Sequence, residues 1–156
     1  MVIPEIEAFA AALPARRALI GLDLGDKTIG LAVSDTTRRV ATPLRTLRRG
    51  KFSVDSVSLA EIIAERAIGG VVLGLPRNMD GSEGPRAQST RAFARNLAGV
   101  LAEPITFWDE RLSTVAAERA LLEADASRGR RAQVIDHVAA GFILQGFLDR
   151  LGYIRP

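Results

Sequence analysis

The sequence predicts an α/β fold built on a mixed five-stranded sheet with helices on both faces, and three features predict it. Two apolar runs flank a tight Gly25-Asp26-Lys27 turn and read as a β-hairpin. Val71 to Leu75 is short and wholly apolar, as a strand buried on both faces of a parallel sheet usually is. The stretches between and after these runs carry apolar residues at helical spacing. An antiparallel meander followed by crossover units is the economical way to join such a series.

Met1 to Arg17 reads as an N-terminal arm, separate from a main domain over residues 18–156. Within it Ile3 to Leu13 is moderately apolar, but Glu5 and Glu7 interrupt it and no basic stretch leads into an unbroken apolar run, so a short amphipathic helix is expected rather than an export signal. Ala18 to Asp23 and Thr28 to Ser34 are the hairpin strands. Val40 to Leu47 follows as a third strand, and Pro43 assigns it to an edge or a strand start. Ser53 to Ile68 is a helix with Val57, Ala60, Ile63, Ala64 and Ala67 on its apolar side, closed by Gly69-Gly70. After the apolar strand, Arg77 to Pro85 is a polar loop of turn formers. A helix over Arg86 to Ala102, a strand over Ile105 to Trp108, and a helix capped by Ser113 come next. Ala124 to Arg131 is a basic loop, and Gln133 to Arg150 is the last helix.

A chain of 156 residues with 47% hydrophobic residues suits one compact domain. It has no cysteine, which excludes disulfides, thiolate metal sites and a cysteine nucleophile. Any metal must therefore rest on carboxylates, carbonyls or the single histidine, His137. No apolar run approaches the roughly 20 residues that cross a bilayer, so no membrane partner is expected and the cytoplasm is the expected compartment. Of the 21 basic residues 19 are Arg, and several cluster: Arg38 and Arg39, then Arg45 with Arg48 and Arg49, and Arg86 with Arg91 and Arg95. Guanidinium forks match phosphate oxygens, and this distribution is the electrostatic footprint of a nucleic-acid binder.

Ligands gather at the carboxyl ends of strands in such sheets. Asp23 ends the first strand and Asp109-Glu110 ends the fifth. Asp136 lies early in the last helix, on the side shared with Ala140, Ile143 and Phe147, which is expected to face the sheet. A carboxylate there is costly unless paired or bound to a cation. Three carboxylates meeting at one sheet end would suit Mg²⁺ or Mn²⁺, and two such ions can activate a water and stabilise a leaving phosphodiester oxygen. Each residue also has an ordinary structural reading: Asp23 as a partner of Lys27 or Arg111, Asp136 as a complement to the helix dipole. Asp109 and Glu110 are adjacent, so strand alternation lets only one of them point at the metals. His137 is expected on the helix surface or in support of a ligand, Trp108 in packing, and Ser113 and Thr114 first as caps.

Four segments together resemble the YqgF, or RuvX, family: Leu22 to Ala32, Gly74 to Gly81, Asp109 to Thr114, and Asp136 to Ala140. The resemblance runs from about Ala18 to Phe147 and leaves the arm uncovered. It implies an RNase H-like fold similar to Holliday-junction resolvases, and a bacterial nuclease that matures the 5′ end of pre-16S ribosomal RNA. It also implies Asp23, Glu110 and Asp136 as the catalytic, metal-holding acids, choosing Glu110 over Asp109. Arg77, Arg111 and the basic run Arg128, Arg130 and Arg131 are then expected on the phosphate backbone, with Lys27, Asn78 and Ser113 as further contacts. Where the family commonly shows a Gly-Lys type sequence, this chain has Arg128-Gly129-Arg130-Arg131.

The expected partner is structured RNA, with association to a ribosome precursor as monomer or homodimer. One alternative keeps the chemistry and cuts a four-way DNA junction, which needs a dimer with two sites. Another is a binding module without catalysis, against which the presence of all three acids argues. A third follows from the likeness of Gly21 to Gly25 to the phosphate loop of actin-like ATPases, whose nucleotide cleft needs two domains where this length supplies one.

Overall fold

The computed structural model describes residues 1–112 and 128–154, with side chains over 1–112 and 137–154. The strands are β1 (Leu19–Leu24), β2 (Thr28–Ser34), β3 (Ala41–Arg48), β4 (Gly70–Leu75) and β5 (Ile105–Asp109). They form one sheet in the order β3-β2-β1-β4-β5. β1 and β2 are the expected hairpin, closed where the Gly25 N–H donates to the Thr28 carbonyl at 2.9 Å. β3 continues the antiparallel half, while β4 and β5 add on the other side of β1 as parallel strands. β3 is an edge strand, where Pro43 sacrifices no interstrand bond on its outer side. β1 is the central strand, and every one of its residues is buried.

The helices are α1 (Ile6–Ala12), α2 (Phe52–Glu65), α3 (Pro85–Ala98) and α4 (Arg128–Ile154). They cover both faces. Leu59, Ile62 and Ile63 of α2 and Phe93 and Leu97 of α3 pack on Ile20, Leu22, Leu73 and Ile105. On the opposite face Ala140, Ile143, Leu144, Phe147 and Leu151 of α4, with Phe9 of α1, pack on Leu19, Val72 and Trp108. The alternation along β1 is clear: even-numbered residues face α2 and α3, odd-numbered residues face α4.

Three expectations need correction. The buried residues of α2 are Asp55, Ser56, Leu59, Ile62 and Ile63, with Ala60 partly buried against the core, so Ile63 and Ala60 hold as expected, whereas Val57 is 56% exposed and Ala64 and Ala67 are exposed. Bulky aliphatic side chains bury more area than alanines at the competing spacing, and they select the face. α2 also stops at Glu65, and Ala67 takes the left-handed turn at φ 51°. The glycines that were expected to close it serve another purpose, since a Cβ on Gly69 or Gly70 would stand 2.8 Å from the Arg17 Cβ or 2.6 Å from the Leu13 Cδ2. Finally, Arg128 to Arg131 is not loop but the first turn of α4, and the helix continues past Arg150 to Ile154. Arginine is a good helix former, and Leu151 and Ile154 extend the apolar stripe. The helix expected from Ser113, and Ser113 itself, lie outside the described residues.

The arm is stitched into the domain. Val2 bridges Ile105 in parallel, and the Ile3 N–H donates to the Ile105 carbonyl at 2.7 Å. Phe9 is fully buried, edge-on to Phe147 at 5.6 Å between centroids. Arg38, 5% exposed, donates to the Pro14 and Arg17 carbonyls. Phe9→Ala is therefore expected to destabilise the whole chain by about 3–5 kcal/mol. In urea, the unfolding transition should stay single and its midpoint should fall; an unchanged midpoint would mean that α1 is not part of the core.

Candidate active site

The site lies on the α4 face of the sheet, near the carboxyl ends of β1, β4 and β5. Asp23, the penultimate residue of β1, is 4% exposed. Across β2 it pairs with Gly30, and Gly30 in turn pairs with Thr46 of β3. On the other side Leu22 pairs with Leu73, so Asp23 is one step along from that pair and Gly74 is its neighbour on β4. Gly74 pairs with Trp108. A single row thus runs Thr46, Gly30, Asp23, Gly74, Trp108, in which glycines flank the acid on both adjacent strands. Strands in a sheet are about 4.8 Å apart, so Asp23 and Gly74 are close neighbours.

Glu110 reaches the same row. It follows β5 and opens a single 3₁₀ turn, Glu110–Leu112. Its Oε1 stands 3.1 Å from the point where a Cβ on Gly74 would be, beside Ile143 of α4 at 2.5 Å. The Glu110 carboxylate therefore occupies room left by the missing side chain of Gly74, one strand over from Asp23. Residues 23 and 110, 87 apart in the chain, are brought to one face.

α4 crosses this face diagonally. His137 Nδ1 is 3.0 Å from the Thr46 Oγ1 at one end of the row. The Ala140 carbonyl and the Leu144 Cβ lie 3.2 and 2.8 Å from a Cβ position on Gly21, and a Cβ on Gly146 would stand 3.0 Å from the Trp108 ring. Asp136 belongs to the helix one turn before Ala140 and next to His137. Its side chain, with those of Arg128, Arg130 and Arg131, lies outside the described residues. His137 supports Thr46 from the helix flank, and Trp108 packs edge-on to Phe147, both as expected from sequence.

Asp109 points the other way. Its carboxylate accepts from Arg111 Nε at 3.1 Å and Nη2 at 2.7 Å, and Arg77 Nη1 lies 3.7 Å away. The bonds from Arg111 hold the Asp109 carboxyl below the ordinary carboxylate range and raise the Arg111 guanidinium. Arg77 also meets Glu83 at 3.3 Å, and Glu83 is gripped by Arg91, whose bond keeps its carboxyl low. Arg111 is therefore the partner of Asp109. Arg77 and Arg111, both expected on phosphate, carry carboxylate partners in this state, and the Arg77 Nε is buried without a hydrogen bond.

The remaining candidates divide. Lys27 is exposed in the turn after β1. Asn78 is occupied within its own loop, donating to Ser82 Oγ at 3.0 Å. Sequence reasoning noted Arg48 only as part of a cluster; its pairing with Thr28 puts this exposed cation at the sheet end of Asp23, a placement that required the register of β3.

Comparison with known proteins follows the same lines. The family model for RuvX, described as Holliday junction resolvase, matches residues 17–150. A protein of Rhodobacter capsulatus bearing the name "Putative pre-16S rRNA nuclease" is 71% identical over 99% of this chain and 97% of its own. A namesake from Ruegeria sp. (strain TM1040) is 70% identical over 99% of both chains, so the match takes in the N-terminal arm. Among solved structures, Thermus thermophilus RuvC in complex with a Holliday junction substrate superposes with a TM-score of 0.54 at 14% identity, over 87% of this chain and 96% of that one. The yeast mitochondrial Holliday junction resolvase gives 0.50 at 12%, over 96% and 87%. At such identities the likeness establishes the RNase H-like fold.

The Asp109 network sets a pH dependence. A carboxyl whose folded pKa is depressed contributes stability that is present above its unfolded value, near 4, and lost as pH falls through the folded value. Asp109→Asn is expected to lower Tm by no more than about 3 °C at pH 7, because the pair is partly solvated. The gap between the two proteins should begin to narrow below about pH 4 and close as pH falls through the lower folded value. A gap that persists unchanged at pH 3 would show that the ion pair is not its source.

Proposed function

The chain belongs to the RuvX family, and from that membership we propose that it is a cytoplasmic nuclease hydrolysing phosphodiester bonds in the 5′-end maturation of pre-16S rRNA. The observation that carries the reading is the Glu110 carboxylate seated over Gly74, beside buried Asp23 on the α4 face. Asp23, Glu110 and Asp136 are the proposed catalytic acids. They would hold one or two Mg²⁺ or Mn²⁺ ions, which when bound activate a water and stabilise the leaving oxygen. The donors suit such ions: carboxylate oxygens are hard ligands, and the chain has no thiolate to compete.

The protein's own part is orientation. Asp23 sits on a strand buried on both faces, so its backbone cannot shift without disturbing the core. Glu110 is held by the close fit of Gly74 and Ile143. Lys27 and Arg48 supply exposed positive charge at the same sheet end, and Arg77, Arg111, Arg128, Arg130 and Arg131 would add phosphate contacts, with Asn78 and Ser113 bordering the substrate. A monomer is sufficient for this chemistry, and ribosome-precursor RNA is the proposed partner. The relatives near 70% identity carry the rRNA name, whereas junction-bound RuvC is 14% identical, which favours RNA over a DNA junction.

The decisive comparison is cleavage of a 5′-extended 16S precursor and of a synthetic four-way DNA junction, with Mg²⁺ or Mn²⁺ and with EDTA. The RNA should be cut, EDTA should stop the reaction, and Asp23→Asn should lower the rate at least about a hundredfold with its Tm preserved, since even the groups supporting a metal ligand cost 10–100-fold. Full activity in Asp23→Asn would remove that acid from the mechanism. Gly74→Ala should also slow cleavage, because the new Cβ pushes on Glu110 and Ile143, while costing about 1–3 kcal/mol in stability; an active, correctly folded variant would argue against the role of Glu110.

A further inference from the structure

We infer that Met79 contacts the face of a nucleobase in the RNA substrate beside the cleaved phosphate, an inference that rests on the nuclease reading above. Met79 is 89% exposed, the barest of the large apolar side chains on the described surface. A thioether standing in water is ordinary on a floppy loop, which can fold it back. This loop is braced. Asn78 N–H donates to the Ser82 carbonyl and Gly81 N–H to the Asn78 carbonyl, each at 2.9 Å. Asp80 Oδ1 accepts from the Ser82 N–H at 2.9 Å and from its hydroxyl at 2.6 Å. Gly81 takes φ +89°, a turn that favours glycine.

The brace is tied to the candidate site. Arg111 Nη1 donates to the Met79 carbonyl at 3.4 Å, and the same guanidinium is fixed by Asp109. Arg111 is the residue after Glu110, so one side chain links the position of Met79 to the strand end that carries the acid. The surroundings select the occupant. Among the described residues, Met79 lies with Asn78, Asp80 and Ser82, and with Arg77 and Arg111 close by, and these polar neighbours do not make the contiguous apolar patch that a protein partner or a membrane would require. A nucleic acid offers phosphates to cations, and its only apolar surfaces are the faces of its bases. One polarizable thioether matches one base face, without preference for sequence.

The chain has two methionines, so peroxide oxidation provides its own control. Met1 is 73% exposed at the opposite end of the sheet, where its carbonyl accepts from the first residue of β5. With the full-length Asp23→Asn protein saturated by a 5′-extended 16S precursor fragment, sulfoxide formation at Met79 should slow at least about fivefold, and at Met1 less than about twofold. In otherwise unaltered protein, Met79→Ala should raise KM about fivefold with little change in kcat, and Met79→Leu should recover most of the loss. If anisotropy shows the RNA bound while Met79 oxidises at its free rate, this inference falls and the nuclease reading stands. If a four-way DNA junction protects Met79 and RNA does not, the assignment to an RNA base is overturned. If neither nucleic acid binds, both readings fall together.

Discussion

The structure depends on how closely α4 lies against the sheet. Two glycines on the strands and two on the helix make that approach possible: Gly21 and Gly74 receive Leu144 and Ile143, while a Cβ on Gly141 or Gly146 would stand 3.1 Å from Pro43 or 3.0 Å from the Trp108 ring. A methyl group at any of the four would collide with its counterpart or force it aside. Ala139 and Ala140, both buried, continue the narrow contact toward the N-terminal turns. The helix axis is consequently held over the row that contains Asp23. On the proposed mechanism this proximity brings an acid from the far end of the chain within reach of one on the first strand. Bulkier residues along the crossing would bury more apolar area and yet separate those acids, so here geometry outweighs hydrophobic gain.

The arginines show why composition is a poor guide to where positive charge is available. A net charge of +3 and a cluster count suggest a uniformly cationic surface. In the fold, Arg38 is buried and braces the arm, and Arg49 stacks on Phe93 while donating to the Gly25 carbonyl at 2.7 Å. Arg91 lies over Phe107 and grips Glu83. These guanidiniums act chiefly as multidentate fasteners for carbonyls, rings and carboxylates, a use to which their planar fork suits them better than lysine. Among the described residues, Lys27 and Arg48 are exposed cations at the sheet end of Asp23.

Much of the fold was legible because it rests on local patterns. The Gly25-Asp26-Lys27 turn, the wholly apolar β4 and the proline of an edge strand each have one economical explanation, and all three hold. The mixed sheet with both faces covered followed from them. What escaped depends on contacts between distant segments. The apolar side of α2 was assigned correctly at Ile63 and Ala60 and wrongly at Val57, Ala64 and Ala67, which have the right spacing; only the shape of the sheet chooses Leu59 and Ile62 over them. Gly69 and Gly70 looked like helix punctuation, whereas their small size serves the passage of α1. The charge of Arg128 to Arg131 suggested a loop, although arginine is at ease in a helix. At the candidate site, periodicity correctly separated Asp109 from Glu110 onto opposite faces. It could not say which faced α4; in the structure the Glu110 carboxylate stands at the Gly74 position on that face.

That division between adjacent acids has a structural consequence that reaches the start of the chain. In a strand, a slip of one residue exchanges its two faces. Were β5 to slip against β4, Asp109 would turn toward α4 and Glu110 toward Arg77 and Arg111, exchanging an ion-pair anchor for a candidate metal ligand. β5 is the edge strand on this side of the sheet, where register is least constrained. Two contacts restrain it. Trp108 is locked under Gly146, and on the open edge the arm pairs with Ile105 through the Met1 carbonyl and the Ile3 N–H. The first residues of the arm lie outside the region matched by the family model, yet they pair with the strand whose register, on the proposed mechanism, would decide which acid enters the site. Removing those first residues would therefore affect the carboxylate geometry at the opposite end of β5 without touching any residue there.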